Sequence, residues 1–245
     1  MSLAFAPEQL EGKQRRDLAH DRSSFQRAFC ARVLGERAFR GAVLDIGCGP
    51  ALPQALEPLA RGYARLDGVD PDATIAAHPY LTRRWVGRLE DTPVPRAEYD
   101  LAYAYNVVEH IRDPSPFLAA VHAVLKPGGV FWALTPHGRH PFAYLSRALE
   151  LSGVKARMGR YLADLHGRPT VNDYPAYYRL NSPSPIAKAA RAAGFVECAC
   201  DLWPCVQWDT YFPPILRWLP RGYDVVLGTR FRPFMQILMF RLQKA

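Results

Sequence analysis

The chain has no stretch of about 18 consecutive apolar residues, so no segment is long enough to be read as a membrane-spanning helix. Met1 to Gln14 lack the basic-then-apolar layout of a secretory leader, and a cytoplasmic protein is expected. Lysine is scarce, five of the 31 basic residues, and the rest are arginine. No lysine-rich tract and no alternation of bases with aromatics is present, so a nucleic-acid partner is not expected despite the net charge of +8. Cysteine is also sparse: Cys30, Cys48, Cys198, Cys200 and Cys205 make an odd five, which argues against a disulfide framework. Cys198-Ala-Cys200 is not a C-x-x-C pair and has no second pair; two residues at i and i+2 share one face of a strand, so a buried strand face is expected. Internal repeats and low-complexity linkers are absent as well.

What is present is a globular composition, 49% hydrophobic over 245 residues, enough for one large core with an elaborated cap. Its most informative stretch is Val43-Leu44-Asp45-Ile46-Gly47-Cys48-Gly49-Pro50-Ala51, an apolar strand that ends in an acid and breaks into a loop with two glycines. Glycine has no Cβ, so the backbone there can turn sharply and lie against a ligand with its N–H groups outward. Asp70 closes the next apolar run, Leu66-Asp67-Gly68-Val69-Asp70. An ionised carboxylate can accept hydrogen bonds from both hydroxyls of a ribose. A dinucleotide fingerprint requires a third glycine where this chain has Leu52. Asp45 repels a pyrophosphate and suits a ligand that carries an amino group and a sulfonium.

Strands are expected at Gly41–Ile46, Arg65–Val69, near Leu81–Val86, at Tyr99–Ala104, Val130–Leu134 and Val196–Leu202. A last strand or short helix is expected at Gln236–Lys244. Helices are expected at about Leu52–Ala60, from Pro71-Asp72 to before Pro79, at Pro114–Leu125 and near Pro185–Ala193. Lys126-Pro127-Gly128-Gly129 reads as the end of the third of these helices. Leu18, Phe25, Phe29, Val33 and Leu34 give residues 8–38 a helical period. This alternation predicts an α/β fold: a Rossmann-like, mostly parallel sheet of seven strands, with helices on both faces, leading helices and an α-rich substrate lid. One domain is expected, divided into an N-terminal helical cap (1–40), a cofactor-binding core (41–136), a lid insertion (137–182) with a short helix near Tyr144–Gly153, and a C-terminal half (183–245) that holds a second insertion (204–233).

In order along the chain, Val43–Gly49, Asp70-Pro71-Asp72, Gly87–Pro93, Tyr99-Asp100-Leu101, Asn106–Pro114 and Leu125–Gly129 resemble the class I S-adenosylmethionine-dependent methyltransferases. The resemblance covers roughly 41–136, with weaker echoes beyond. It implies S-adenosyl-L-methionine as cofactor, held by Asp45, Gly47, Cys48, Gly49, Asp70, Pro71, Leu89, Glu90, Asn106 and Val107. Arg88 stands where family members often have Asp or Ser. Val107-Val108-Glu109-His110 resembles the E-V-V-E-H stretch of ubiquinone-pathway O-methyltransferases, which are thought to hold a divalent metal. Here Asn106 replaces the leading Glu, and a neutral amide is a poorer ligand for a hard cation, so no metal is expected.

Methyl transfer to a small molecule is the function this implies, most naturally to an oxygen of a sugar, glycolipid or quinone-like phenol. A silent cofactor-binding module or assembly partner is the alternative, and a nucleic-acid methyltransferase a weaker one. His110 is the candidate general base, or a histidine that closes a helix start. His137, Tyr144, Tyr178 and Arg179 are candidate acceptor contacts, and His166 shares the ambiguity of the lid histidines. Thr135–His137, Tyr178–Pro183 and Tyr211–Pro220 resemble bacterial enzymes that act on glycan or lipid-linked intermediates. The arginines and bulky apolar residues of 211–220 fit a membrane surface, an ordinary cap or a homodimer face.

Overall fold

Strand alternation and helix spacing combine into a seven-stranded sheet of order β3-β2-β1-β4-β5-β7-β6 in the computed structural model. The structure describes residues 21, 23–36, 41–151, 174–205, 209, 212, 214–228 and 231–245. The strands are β1 (Ala42–Ile46), β2 (Arg65–Asp70), β3 (Arg84–Val86), β4 (Tyr99–Tyr105), β5 (Leu125–Pro136), β6 (Phe195–Trp203) and β7 (Ile237–Lys244). The first five run parallel, and β7 lies antiparallel between β5 and β6. The final segment is therefore a strand and not a helix. Both its faces are apolar because it is inserted in the sheet, with Leu238 and Phe240 in one core layer and Ile237 and Met239 in the other.

Period-two alternation sorts each strand between the two layers. Leu44, Ala102, Ala104, Phe131 and Ala133 face the layer built with α3 (Pro114–Val124) and α5 (Pro183–Ala192). Val43, Leu101, Tyr103 and Leu134 face the layer built with α1 (Ser24–Gly35) and α2 (Glu57–Gly62). The predicted stripe of α1 is buried at Phe25, Phe29 and Val33, and Leu18 lies outside the described residues. The stripe of α3 buries Phe117, Leu118, Val121 and Val124. Truncating a side chain such as Phe117 to Ala costs about 3–5 kcal/mol at a site of this kind. Cys198 and Cys200 are both buried on β6, as a shared strand face requires, and all five cysteines are free thiols.

Several boundaries differ from expectation. Helix α3 ends at Leu125, already extended (φ −73°, ψ 142°), and Lys126-Pro127-Gly128-Gly129 lies within β5. Gly128 (φ 75°) turns there and donates its N–H to the Ala245 carbonyl at 3.0 Å. The helix thus ends where the Pro and Gly run predicts, and the difference is that the strand begins at Leu125, paired with Tyr99, with Lys126–Gly129 as an irregularity before the regular register resumes at Val130. The Leu52–Ala60 helix divides into a 3-10 turn, Gln54–Leu56, and α2. The segment after Pro71 is a 3-10 helix, Ala73–Ala77, capped by Asp72, whose side chain accepts from the Thr74 N–H at 2.9 Å. The lid helix begins earlier than expected, as α4 (Pro141–Leu151), because Pro141 suits a first turn. Residues 152–173, His166 among them, lie outside the described residues. So does most of 206–213, with Tyr211.

Asp100 explains two of the recognisable stretches structurally. Its carboxylate accepts from Lys126 Nζ at 2.9 Å on both oxygens and from the Ala42 N–H at 3.1 Å. This joins the start of β1 to β4 and β5. A Cβ on Gly41 meets Asp100 Oδ2 at 2.1 Å, so a larger residue there displaces the carboxylate from these bonds.

Candidate active site

Ligand sites of open α/β sheets form beyond the carboxyl ends of the strands, and the chemistry-bearing residues gather there. Gly47 (φ 73°) and Gly49 (φ 57°) turn the chain after β1 into the left-handed region. They differ in surroundings. A Cβ on Gly47 meets Val107 Cγ2 at 2.3 Å, whereas one on Gly49 meets nothing within 4 Å. Gly47 is bare so that the loop after β4 can close on it, and Gly49 leaves its outer side open.

Asp70 is buried at the end of β2. Its Oδ2 accepts from the Gly49 N–H at 2.8 Å and its Oδ1 from the Asp72 N–H at 2.7 Å. Each oxygen retains a second lone pair, so the carboxylate is held in place and can still accept from a diol. Pro71, exposed at the lip, has no N–H to compete for it. Asp45 is buried at the end of β1, and Tyr103 Oη donates to its Oδ2 at 2.7 Å. Burial pushes the Asp45 pKa up to about 7, against the lowering effect of the Tyr103 hydrogen bond and with a further push from the Asp70 charge. Cys48 turns its side chain away from this loop: Sγ lies 2.7 Å from a Cβ built on Gly68, within the core, and burial raises its thiol pKa. The Leu89 side chain is likewise in the core, and Glu90 beside it is half-buried.

After β4 the chain enters the left-handed region at Asn106 (φ 54°), which asparagine tolerates better than most residues, and donates its N–H to the Leu134 carbonyl at 2.9 Å. A 3-10 turn, Val108–His110, follows. His110 Nδ1 lies 3.1 Å from the Pro175 carbonyl. A carbonyl only accepts, so Nδ1 carries the proton and Nε2 of the neutral ring keeps a basic lone pair.

Segment 174–181 covers this end of the sheet. The Tyr174 ring stands 6.2 Å from that of His110. Partial burial, then the charges of Asp70 and Asp72, raise the Tyr174 pKa. The N–H groups of Tyr177 and Tyr178 donate to the Glu109 carbonyl at 2.7 and 3.1 Å. Glu109 is itself buried; burial raises its pKa and His110 opposes the rise. Thr135 Oγ1 donates to Glu109 Oε2 at 2.8 Å, and Asn181 Nδ2 donates to Thr135 Oγ1 at 2.7 Å and to the Pro136 carbonyl at 2.8 Å. One polar chain therefore joins the ends of β4 and β5 to the cover. Arg147 of α4 stacks over the Tyr178 ring at 5.9 Å.

Of the expected acceptor residues, only Tyr178 is tied to this cluster. Tyr144 and Arg179 are exposed. His137 is buried, with Nδ1 3.2 Å from the Met235 carbonyl, and burial lowers its pKa to about 4. Its ring is committed to the start of β7, which departs from the expected acceptor contact: the chain returning from the second insertion encloses it. Tyr174 and the Glu109-Thr135-Asn181 chain were not legible as site residues. The tyrosine-rich run Tyr174-Pro175-Ala176-Tyr177-Tyr178 was the available signal. Among the described residues, no three His, Cys, Asp or Glu side chains are grouped as a metal site.

Residues 44–133 match a methyltransferase domain family profile. The chain is 39% identical over 100 residues to a ubiquinone biosynthesis O-methyltransferase of Rhodopseudomonas palustris (strain BisB18), covering 38% of this chain and 39% of the relative. It is 28% identical over 188 residues to the protein of the same name from Methylobacterium sp. (strain 4-46), covering 73% and 70%. The matched stretch thus spans about two-fifths of the length of the first of these relatives. A crystal structure of geranyl diphosphate C-methyltransferase from Streptomyces coelicolor A3(2) superposes with a TM-score of 0.57 at 16% identity, covering 99% of this chain and 87% of that one. The open side of Gly49, the lone pairs of Asp70 and the acid at Asp45 fit an amino-acid tail and a ribose. Residues 44–133 therefore carry a class I S-adenosylmethionine-dependent methyltransferase domain, and S-adenosylmethionine is that domain's cofactor.

Proposed function

We propose that this protein methylates an oxygen of a small molecule: a sugar, a glycolipid or a quinone-like phenol. The observation that carries the reading is the His110 Nδ1 to Pro175 carbonyl contact of 3.1 Å, which leaves Nε2 as a base under the cover. Bound S-adenosylmethionine supplies an electrophilic methyl group on a sulfonium. The acceptor hydroxyl forms the new C–O bond as the C–S bond breaks, and its proton passes to His110 Nε2. Asp70 and the Gly47–Gly49 loop hold the donor, while Tyr174 and Tyr178 flank the acceptor and aim it. The ubiquinone-pathway relatives support an oxygen acceptor, and the tyrosine cover suits a flat or ring-shaped one.

Tritiated methyl transfer to lipid, glycan and RNA fractions tests this. Label in the lipid or glycan fraction is expected. Label confined to RNA, or no label from protein that binds the cofactor, overturns it; the second result identifies a silent binding module.

A further inference from the structure

We infer that the segment 214–226, between β6 and β7, is a docking surface for an anionic phospholipid bilayer. It presents Ile215, Leu216, Trp218, Leu219, Val225 and Val226 to solvent, with Ile215 81% and Trp218 66% exposed. Six exposed apolar side chains within one short segment are uncommon on a protein that works without a partner. Tryptophan at its centre suits the headgroup boundary, where an amphipathic ring is most stable.

Charge decides which partner it fits. The two described acids of the region are withdrawn from the surface. Asp209 is buried and accepts from Arg221 Nε at 2.8 Å; Asp224 is buried 3.2 Å from His140 Nε2. Arg217 gives its Nε to the Phe212 carbonyl at 3.2 Å, a bond that does not neutralise it. The sequence adds Arg230 and Arg232 beyond, and the whole chain carries +8. Pro214, Arg217, Trp218, Arg221, Gly222 and Val225 line an open groove, so both arginines and the indole share one surface feature, with the Arg221 charge met by Asp209. An apolar face with cationic edges and buried acids complements a negatively charged lipid surface and gains little from a neutral one.

The surface is also coupled to the active-site cover. Phe142 N–H donates to His140 Nδ1 at 3.1 Å, so Nε2 carries the proton toward Asp224 and ties the start of α4 to this segment. Further along α4, Arg147 reaches the Tyr177 carbonyl at 3.4 Å. The inference does not depend on which acceptor is methylated.

Vesicle co-sedimentation tests it, with phosphatidylcholine alone and with roughly a third phosphatidylglycerol. The protein is expected to bind the anionic vesicles, to release in high salt, and not to bind neutral ones. Trp218→Asp is expected to lower binding at least about tenfold, and Arg217→Gln several-fold, with affinity for S-adenosylhomocysteine unchanged in both. Absence of vesicle binding by the parent, or equal binding by parent and variants, overturns the inference. So does a concentration-dependent dimer abolished by Trp218→Asp without vesicle binding, which assigns the face to a second copy. If Trp218→Asp also loses cofactor affinity, Arg217→Gln decides alone, and unchanged binding by it overturns the inference.

Discussion

The Gly49 amide donates to Asp70 Oδ2 across 2.8 Å, joining the glycine loop after β1 to the acid at the end of β2. The two elements expected to grip the cofactor are thus set against each other within the protein itself. The Asp72 amide fixes the other oxygen, so the carboxylate does not have to be ordered when ligand binds.

Asp70→Ala is expected to abolish cofactor binding in calorimetry. Hydrogen bonds to a charged group are worth about 1.5–3 kcal/mol each, so two lost hydroxyl contacts weaken affinity by a hundredfold or more. Near-unchanged affinity removes the ribose assignment.

The two glycines are expected to respond differently to alanine. Both pay for a left-handed backbone, about 1–2 kcal/mol. Gly47→Ala adds a collision with Val107 Cγ2 at 2.3 Å, so it lowers the melting temperature more than Gly49→Ala, which meets no atom within 4 Å. Gly49→Ala instead loses cofactor affinity out of proportion to stability, because its new methyl projects into the open side of the loop. Equal melting temperatures for the two variants contradict this geometry.

Asp45 gives binding and folding opposite pH dependences. Its folded pKa, about 7, lies above the unfolded 3.8. Its stabilising contribution is full below pH 3.8 and is lost as pH rises through about 7. A ligand ammonium favours the ionised acid, so affinity for S-adenosylhomocysteine rises toward pH 7 and then levels. Asp45→Asn is expected to flatten both curves, measured by calorimetry and thermal melts.

His137 acts in the other direction. Its folded pKa of about 4 lies below the reference 6.5, so its contribution is full above pH 6.5 and is lost as pH falls through about 4. Melts of His137→Gln are expected to be less acid-sensitive than those of the parent. An identical acid limb places the sensitivity elsewhere.

His110→Ala is expected to slow turnover on the order of a hundredfold or more while leaving cofactor affinity intact. Parent-like rates exclude it as the base and leave it a positioning role beside Pro175.

Much of the cofactor half was legible because its determinants are local in sequence. Gly47 and Gly49 mark a turn by lacking Cβ, Asp70 closes an apolar run, and strand alternation announces the sheet. Even there, Lys126–Gly129 reads locally as a helix stop, which it is, but only the pairing of Leu125 with Tyr99 and the Lys126–Asp100 ion pair bring the start of β5 forward from Val130 to Leu125. The acceptor side depends on contacts between residues distant in sequence. Glu109 meets Thr135, Thr135 meets Asn181, and His110 meets Pro175. No periodicity or spacing encodes such meetings.

The amino-acid sequence by itself determined the layered α/β order, the glycine loop and the acid that closes β2, since backbone sterics and apolar period act over a few residues. Tertiary structure alone decided that Tyr174 covers the His110 end of the sheet, that His137 is enclosed against β7, and that Asp209 and Asp224 are withdrawn beneath an exposed apolar face. Those outcomes follow from which surfaces the folded chain buries against one another, and burial is a property of the whole packed molecule.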